Sequence, residues 1–126
     1  MKKYLLVLFS IFSLGIDAQV TLRITSIPAN TPTGATIYLA GSINGWNPFD
    51  NGSIMQPDGF GAYQLTIPEG TGTVEYKFTR GSWATVEGNA SGGYLPNRTF
   101  TFNGTPQTIN LTIQSWEDIT GGNNST

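Results

Sequence analysis

Hydrophobic and polar residues alternate along most of the chain after residue 19. In residues 20–25, for example, Val, Leu and Ile alternate with Thr, Arg and Thr. A period of two is typical of a half-buried β-strand, because successive side chains point to opposite faces. Further segments share the β-branched and aromatic residues of strands and are bounded by the turn formers Gly, Pro, Asn or Asp. The predicted strands cover residues 20–25, 36–41, 63–67, 74–79, 98–102 and 108–113, with a shorter candidate at residues 54–56.

The number and spacing of these strands predict the fold class. No window contains an amphipathic helical repeat long enough to compete with them. About seven short strands separated by turns are typical of an all-β fold, an immunoglobulin-like antiparallel β-sandwich. Within residues 74–79, alternation puts Val74, Tyr76 and Phe78 on the core face. Lys77 is therefore predicted to point outward.

The start of the chain predicts an export signal. Two lysines precede an apolar stretch at residues 4–16, and the small residue Ala18 follows in the position of a cleavage site. The stretch is shorter than the roughly 20 apolar residues that span a membrane. The sequence therefore predicts a signal peptide at residues 1–18, one folded domain at residues 19–118 and a flexible tail or linker at residues 119–126. The expected location is secreted or periplasmic, without membrane attachment after cleavage.

Composition removes several classes of chemistry. Only 11% of the 126 residues are charged, and the chain contains neither histidine nor cysteine. This excludes a Ser-His-Asp triad, a thiol nucleophile and the usual kinds of zinc site, so we expect no cofactor and no metal. Six basic residues against eight acidic ones leave no basic patch for nucleic acid. The loop carboxylates show no sign of convergence as a glycosidase pair. We therefore expect no enzyme activity, unless the chain is the amino-terminal part of a longer glycan-active enzyme.

Two tryptophans lie in polar segments where a core residue is not expected. Trp46 is in GSINGWNPFDNG, and Trp83 is in the long connection at residues 81–97. Connections longer than an ordinary hairpin loop often carry binding residues. An indole can lie on the C–H face of a sugar while amide and charged groups bind its hydroxyls. The alternative is that both rings close the ends of the sandwich, as we expect for Trp116.

Four segments form a more specific combination. They are IYLAGSINGWNP at residues 37–48, LTIPEGTGTVEYKF at residues 65–78, GSW at residues 81–83 and PNRTF at residues 96–100. In this order, along nearly the whole mature chain, they resemble the starch- and glycogen-binding carbohydrate-binding modules of families 20 and 48.

The resemblance implies one α-glucan site. Trp46 and Trp83 would stack on consecutive glucose units, and Lys77 and Asn97 would form hydrogen bonds with sugar hydroxyls. Glu87, in the same long connection as Trp83, is a weaker candidate. The loop before the first matched segment lacks the ring that forms a second site in some modules, so one site is predicted.

Two further residues have roles that the resemblance leaves less defined. Some starch-binding modules place their second aromatic directly before the NR pair, where Tyr94 is the nearest ring in this chain. The aromatic ring that pairs with Trp46 in the site is therefore either Trp83 or Tyr94. Arg98 is expected to be structural and to pair with a carboxylate near the loop.

The predicted function is non-catalytic binding of an α-glucan, such as starch, glycogen or maltooligosaccharides. The expected partners are this polysaccharide or oligosaccharide and a catalytic domain or partner enzyme. The alternative is a protein-interaction β-sandwich in which the same exposed aromatics form the hot spot.

Overall fold

The computed structural model describes residues 18–120. In this range it contains nine β-strands, three single turns of 3₁₀-helix and no α-helix, and no helix there is long and apolar enough to cross a membrane. The predicted signal peptide, apart from Ala18, and most of the predicted tail lie outside the described residues. The strands are β1 (Val20–Ser26), β2 (Tyr38–Gly41), β3 (Gln56–Pro57), β4 (Tyr63–Ile67), β5 (Thr73–Thr79), β6 (Glu87–Gly88), β7 (Arg98–Thr101), β8 (Gln107–Thr112) and β9 (Ser115–Trp116).

Two main sheets share one core. The larger sheet has the strand order β3-β4-β1-β8, and the smaller has the order β2-β5-β7. Alternate residues of β1 are fully buried, and they pack with Val74, Tyr76 and Phe78 from β5. Each such side chain contributes roughly 1.5–3 kcal/mol through burial. The prediction of an all-β sandwich is confirmed, and β5 presents the predicted face to the core.

One strand pair differs from the expected antiparallel arrangement. β1 and β8 are parallel, with Val20 opposite Gln107 and Leu22 opposite Ile109. The predicted antiparallel arrangement does not extend to this pair. Parallel neighbours need a long crossover, and here almost the whole domain lies between the two strands. Alternation along the sequence shows which face of a strand is buried but not which strand lies beside it.

A third, two-stranded sheet was not predicted. β6 and β9 pair over two residues each, which is too short for a periodic pattern. β9 ends in Trp116, which is fully buried and donates its indole N–H to Thr31 Oγ1 at 2.8 Å. The Arg80 guanidinium lies 5.0 Å from the centre of this ring. Trp116 therefore closes the end of the sandwich, as expected.

Candidate functional site

The outer face of the smaller sheet is crossed by two loops. The first loop (residues 42–53) follows β2, and the second loop (residues 80–97) follows β5. The first loop begins near one end of β5, where Ser42 Oγ accepts a hydrogen bond from Glu75 N at 3.1 Å. It then folds back to the other end, where Pro48 O accepts one from Thr79 Oγ1 at 2.7 Å. The first loop therefore runs along the length of β5.

Asn44 holds the first loop in place. Its amide nitrogen lies 2.8 Å from Leu39 O and 3.0 Å from both Asp50 Oδ2 and Ser53 Oγ, and its amide oxygen accepts from Gly41 N at 3.0 Å. Hydrogen bonds from the Ser53 hydroxyl, a backbone N–H and the Asn44 amide lower the pKa of the Asp50 carboxyl. This network fixes the backbone that carries Trp46.

Trp46 has an unusual backbone conformation. Its φ is +61°, and among residues 18–120 no other residue besides glycine has a positive φ. Its N–H donates to Gly41 O at 2.9 Å. The left-handed conformation costs a residue with a Cβ roughly 1–2 kcal/mol. Such strain persists where surrounding contacts impose it, and it occurs often at functional sites.

Trp46 and Trp83 form an aromatic pair across the two loops. Their ring centres are 6.3 Å apart and their planes are tilted by 39°. Trp83 begins the 3₁₀ turn Trp83–Thr85, in which Thr85 N donates to Ser82 O at 3.1 Å. Trp83 is 42% exposed and Trp46 is half-buried. Trp83, rather than Tyr94, is therefore the ring beside Trp46.

Tyr94 lies over Lys77. The Lys77 Nζ is 4.4 Å from the centre of the Tyr94 ring, which is the geometry of a cation–π contact. Lys77 points away from the core, as predicted, but the ring and neighbouring residues leave it only 6% exposed. Within residues 18–120 its ammonium makes no ion pair and no hydrogen bond. Its three N–H donors are therefore free to meet a hydroxyl or water.

Asn97 lies beside Lys77. The β5–β7 register pairs Tyr76 with Arg98, so continuing it by one residue places Asn97 opposite Lys77. The Asn97 amide nitrogen donates to Glu75 Oε1 at 3.0 Å. This bond orients the exposed side chain and leaves its amide oxygen available as an acceptor.

Glu87 does not belong to this surface. It is fully buried, and its carboxylate accepts hydrogen bonds from the Arg98 guanidinium at 2.7–3.2 Å and from Phe78 N at 3.0 Å. Burial alone lowers the pKa of Arg98, but the hydrogen bonds and charge of Glu87 raise it above its usual value. The expectation that Glu87 contacts a ligand was wrong, because its side chain is fully buried and both carboxylate oxygens accept hydrogen bonds from within the domain. The expected structural role of Arg98 is confirmed.

Phe49 is a residue of this surface that was not predicted. This residue of the first loop is 58% exposed, and its ring centre lies 5.3 Å from that of Tyr38. The signal was the same as for Trp46, because Phe49 is a large ring in a segment of turn formers. Within residues 18–120 no cluster of acidic side chains is arranged to hold a metal ion.

Replacing Asn44 with alanine is expected to loosen the first loop. Asn44→Ala removes the donor to Leu39 O and the acceptor for Gly41 N, so we expect a loss of about 2–3 kcal/mol in the free energy of unfolding. Urea denaturation followed by tryptophan fluorescence measures this. The control is Asn47→Ala, which removes one exposed bond to Phe49 N and should cost less than about 1 kcal/mol. Equal losses in the two variants would contradict the assigned role of Asn44.

Comparison with known proteins gives matches to segments of larger enzymes. The chain is 46% identical over 102 residues, 79% of its length, to an alpha-amylase from Niallia circulans. It is 34% identical over 110 residues, 82% of its length, to an amylopullulanase from Thermoanaerobacter thermohydrosulfuricus. The chain spans only 8% and 7% of the lengths of these two proteins. It therefore corresponds to a small part of each larger enzyme, which agrees with the expectation that it has no enzyme activity of its own unless it is part of a longer glycan-active enzyme.

No protein-family model matches the chain. Among solved structures, a gamma-CGTase from alkalophilic Bacillus clarkii is similar over 75% of this chain and 15% of that one. The TM-score is 0.47 and the sequence identity is 19%.

Proposed function

We propose that this chain is a non-catalytic domain that binds α-glucans such as starch, glycogen or maltooligosaccharides. The observation that carries the proposal is the pairing of Trp46 with Trp83 on an exposed surface, with ring planes tilted by 39°. An α-1,4-linked chain coils, so the faces of successive glucose units are not coplanar. Two tilted indoles match this curvature better than one flat platform.

Lys77 and Asn97 supply the polar contacts in this proposal. The Lys77 ammonium donates to sugar hydroxyls, and the Asn97 amide oxygen accepts from them. A stacked ring that buries on the order of 80 Å² contributes about 2 kcal/mol before entropy losses, at ~25 cal/mol/Å². Two rings and a few hydrogen bonds correspond to affinities of roughly micromolar to millimolar.

The names of the relatives support the ligand class. The chain is 46% and 34% identical to segments of proteins named alpha-amylase and amylopullulanase, names that refer to enzymes of α-glucans. A binding domain joined to a catalytic domain raises the local substrate concentration, because the second encounter becomes intramolecular. We propose this tethering role in place of a catalytic one.

The test is a titration of the purified protein with maltoheptaose, followed by intrinsic tryptophan fluorescence, together with a pull-down on insoluble starch. We expect a saturable change in fluorescence and retention on starch. Cellohexaose, which has β-1,4 linkages and one glucose unit fewer, is the control and should produce no saturable change. The proposal fails if maltoheptaose gives no saturable change and starch does not retain the protein, and the protein-interaction alternative is then favoured.

A further inference from the structure

Phe49 presents an open aromatic face on the first loop. One side of its ring packs on Tyr38, at 5.3 Å between centres with a tilt of 53°, and Tyr38 itself is only 7% exposed. Phe49 nevertheless remains 58% exposed. The exposed face of this ring is therefore available for contact with a ligand.

The Phe49 ring lies against the start of the second loop, at Gly81. A side-chain carbon at Gly81 would be 3.7 Å from both the Phe49 ring and the Tyr38 ring. Gly81 precedes Trp83 by two residues, which limits the separation of their Cα atoms to about 7 Å. Phe49 follows Trp46 by three residues, which limits the separation of their Cα atoms to about 11 Å. Phe49 therefore belongs to the first loop, its ring lies against the second loop at Gly81, and its Cα is within about 11 Å of that of Trp46.

The peptide group that joins Pro48 to Phe49 is held by hydrogen bonds on both its N–H and its carbonyl. Its N–H donates to Asn47 Oδ1 at 3.0 Å. The preceding carbonyl, Pro48 O, accepts from Thr79 Oγ1 at 2.7 Å, and the same hydroxyl accepts from Gly81 N at 3.1 Å. Thr79 therefore ties the two loops to β5. A ring held in this way loses little conformational freedom on binding.

From this geometry we propose that Phe49 is a third stacking surface, which extends the site to α-glucan chains longer than the two tryptophans can cover. The inference rests on the proposed function. It adds a preference for chain length, which the tryptophan pair alone does not give. An isolated short oligosaccharide occupies the indoles, and only a longer chain also reaches the phenyl ring.

The competing explanation is that Phe49 only covers Tyr38. Phe49→Leu separates the two roles, because leucine retains an apolar cover but has no flat face for a sugar. Phe60→Ala is the matched control for the loss of a phenyl ring. Phe60 is 93% exposed and lies in the turn between β3 and β4, in the other main sheet.

Calorimetric titration with maltotriose and with maltoheptaose tests the proposal on the wild type, Phe49→Ala, Phe49→Leu and Phe60→Ala. We expect both Phe49 variants to bind maltoheptaose about tenfold more weakly, to change less than about twofold toward maltotriose, and to retain cooperative thermal unfolding. Phe60→Ala should match the wild type with both sugars.

Two results overturn the proposal, and they differ from failure of the proposed function. If Phe49→Leu binds maltoheptaose as tightly as the wild type, the ring is only a cover. If both sugars weaken equally in the Phe49 variants, no preference for chain length resides there. In both cases the wild type still binds. If the wild type binds neither sugar, the proposed function itself fails and the inference fails with it.

Discussion

Glu87→Ala is expected to lower the free energy of unfolding by about 3–5 kcal/mol, a large share of the 5–15 kcal/mol typical of a small domain. The substitution leaves the Arg98 guanidinium, only 18% exposed, without its bidentate partner, and it removes the acceptor for Phe78 N. An unpaired buried charge costs much more than the pair itself contributes. Urea denaturation, or loss of soluble folded protein, measures the effect.

Two further variants test this explanation. Arg23→Met removes a partly exposed ion pair with Asp58, whose side chains are 37% and 21% exposed, and should change stability by less than about 1 kcal/mol. The double change Glu87→Met with Arg98→Met removes both buried charges and should recover much of the loss seen with Glu87→Ala. If Glu87→Ala is no more destabilising than Arg23→Met, the buried pair does not hold the second loop to the sheet.

Trp46→Ala and Trp83→Ala are each expected to weaken maltoheptaose binding by more than about 1 kcal/mol, up to about 2 kcal/mol, without unfolding the domain. The physical reason is that both rings pack on each other at the surface and not in the core. Fluorescence is altered by these changes, so calorimetric titration is the suitable measurement, with circular dichroism to verify the fold. Unfolding of either variant would identify that tryptophan as a packing residue.

A glycine substitution at Trp46 separates the backbone strain at this position from the loss of the ring. Glycine adopts the left-handed conformation freely, so Trp46→Gly should be about 1 kcal/mol more stable than Trp46→Ala, while both lose affinity to the same extent. Equal stabilities would mean that the φ of +61° stores no strain in the folded domain.

Much of the fold could be predicted because the alternation of apolar and polar residues in a strand shows which of its faces is buried. Alternation located six of the nine strands and assigned the outward direction of Lys77. It could not identify β6 and β9, which have two residues each, or the parallel partner of β1. Strand pairing depends on long-range topology, and a two-residue strand has no period.

The candidate site was predictable in its residue types but not in its contacts. A tryptophan in a turn-rich segment is visible in the sequence, and so is the strand position of Lys77. What covers Lys77 is a tyrosine 17 positions later, and what occupies Glu87 is an arginine 11 positions later. A loop carboxylate looks exposed in the sequence until the fold places a guanidinium against it, which is why Glu87 was assigned to the surface.

The parallel pairing of β1 with β8 has a consequence for how the domain is made. During synthesis β1 is made first and its neighbour β8 almost last. The larger sheet therefore cannot be completed until residue 112 has been made. Pairing between distant segments slows folding, because the chain must close a long loop before the contact forms. Until then β1 is an uncovered apolar edge that can pair with other chains. Truncation before β8 should therefore produce aggregation and not a smaller folded domain.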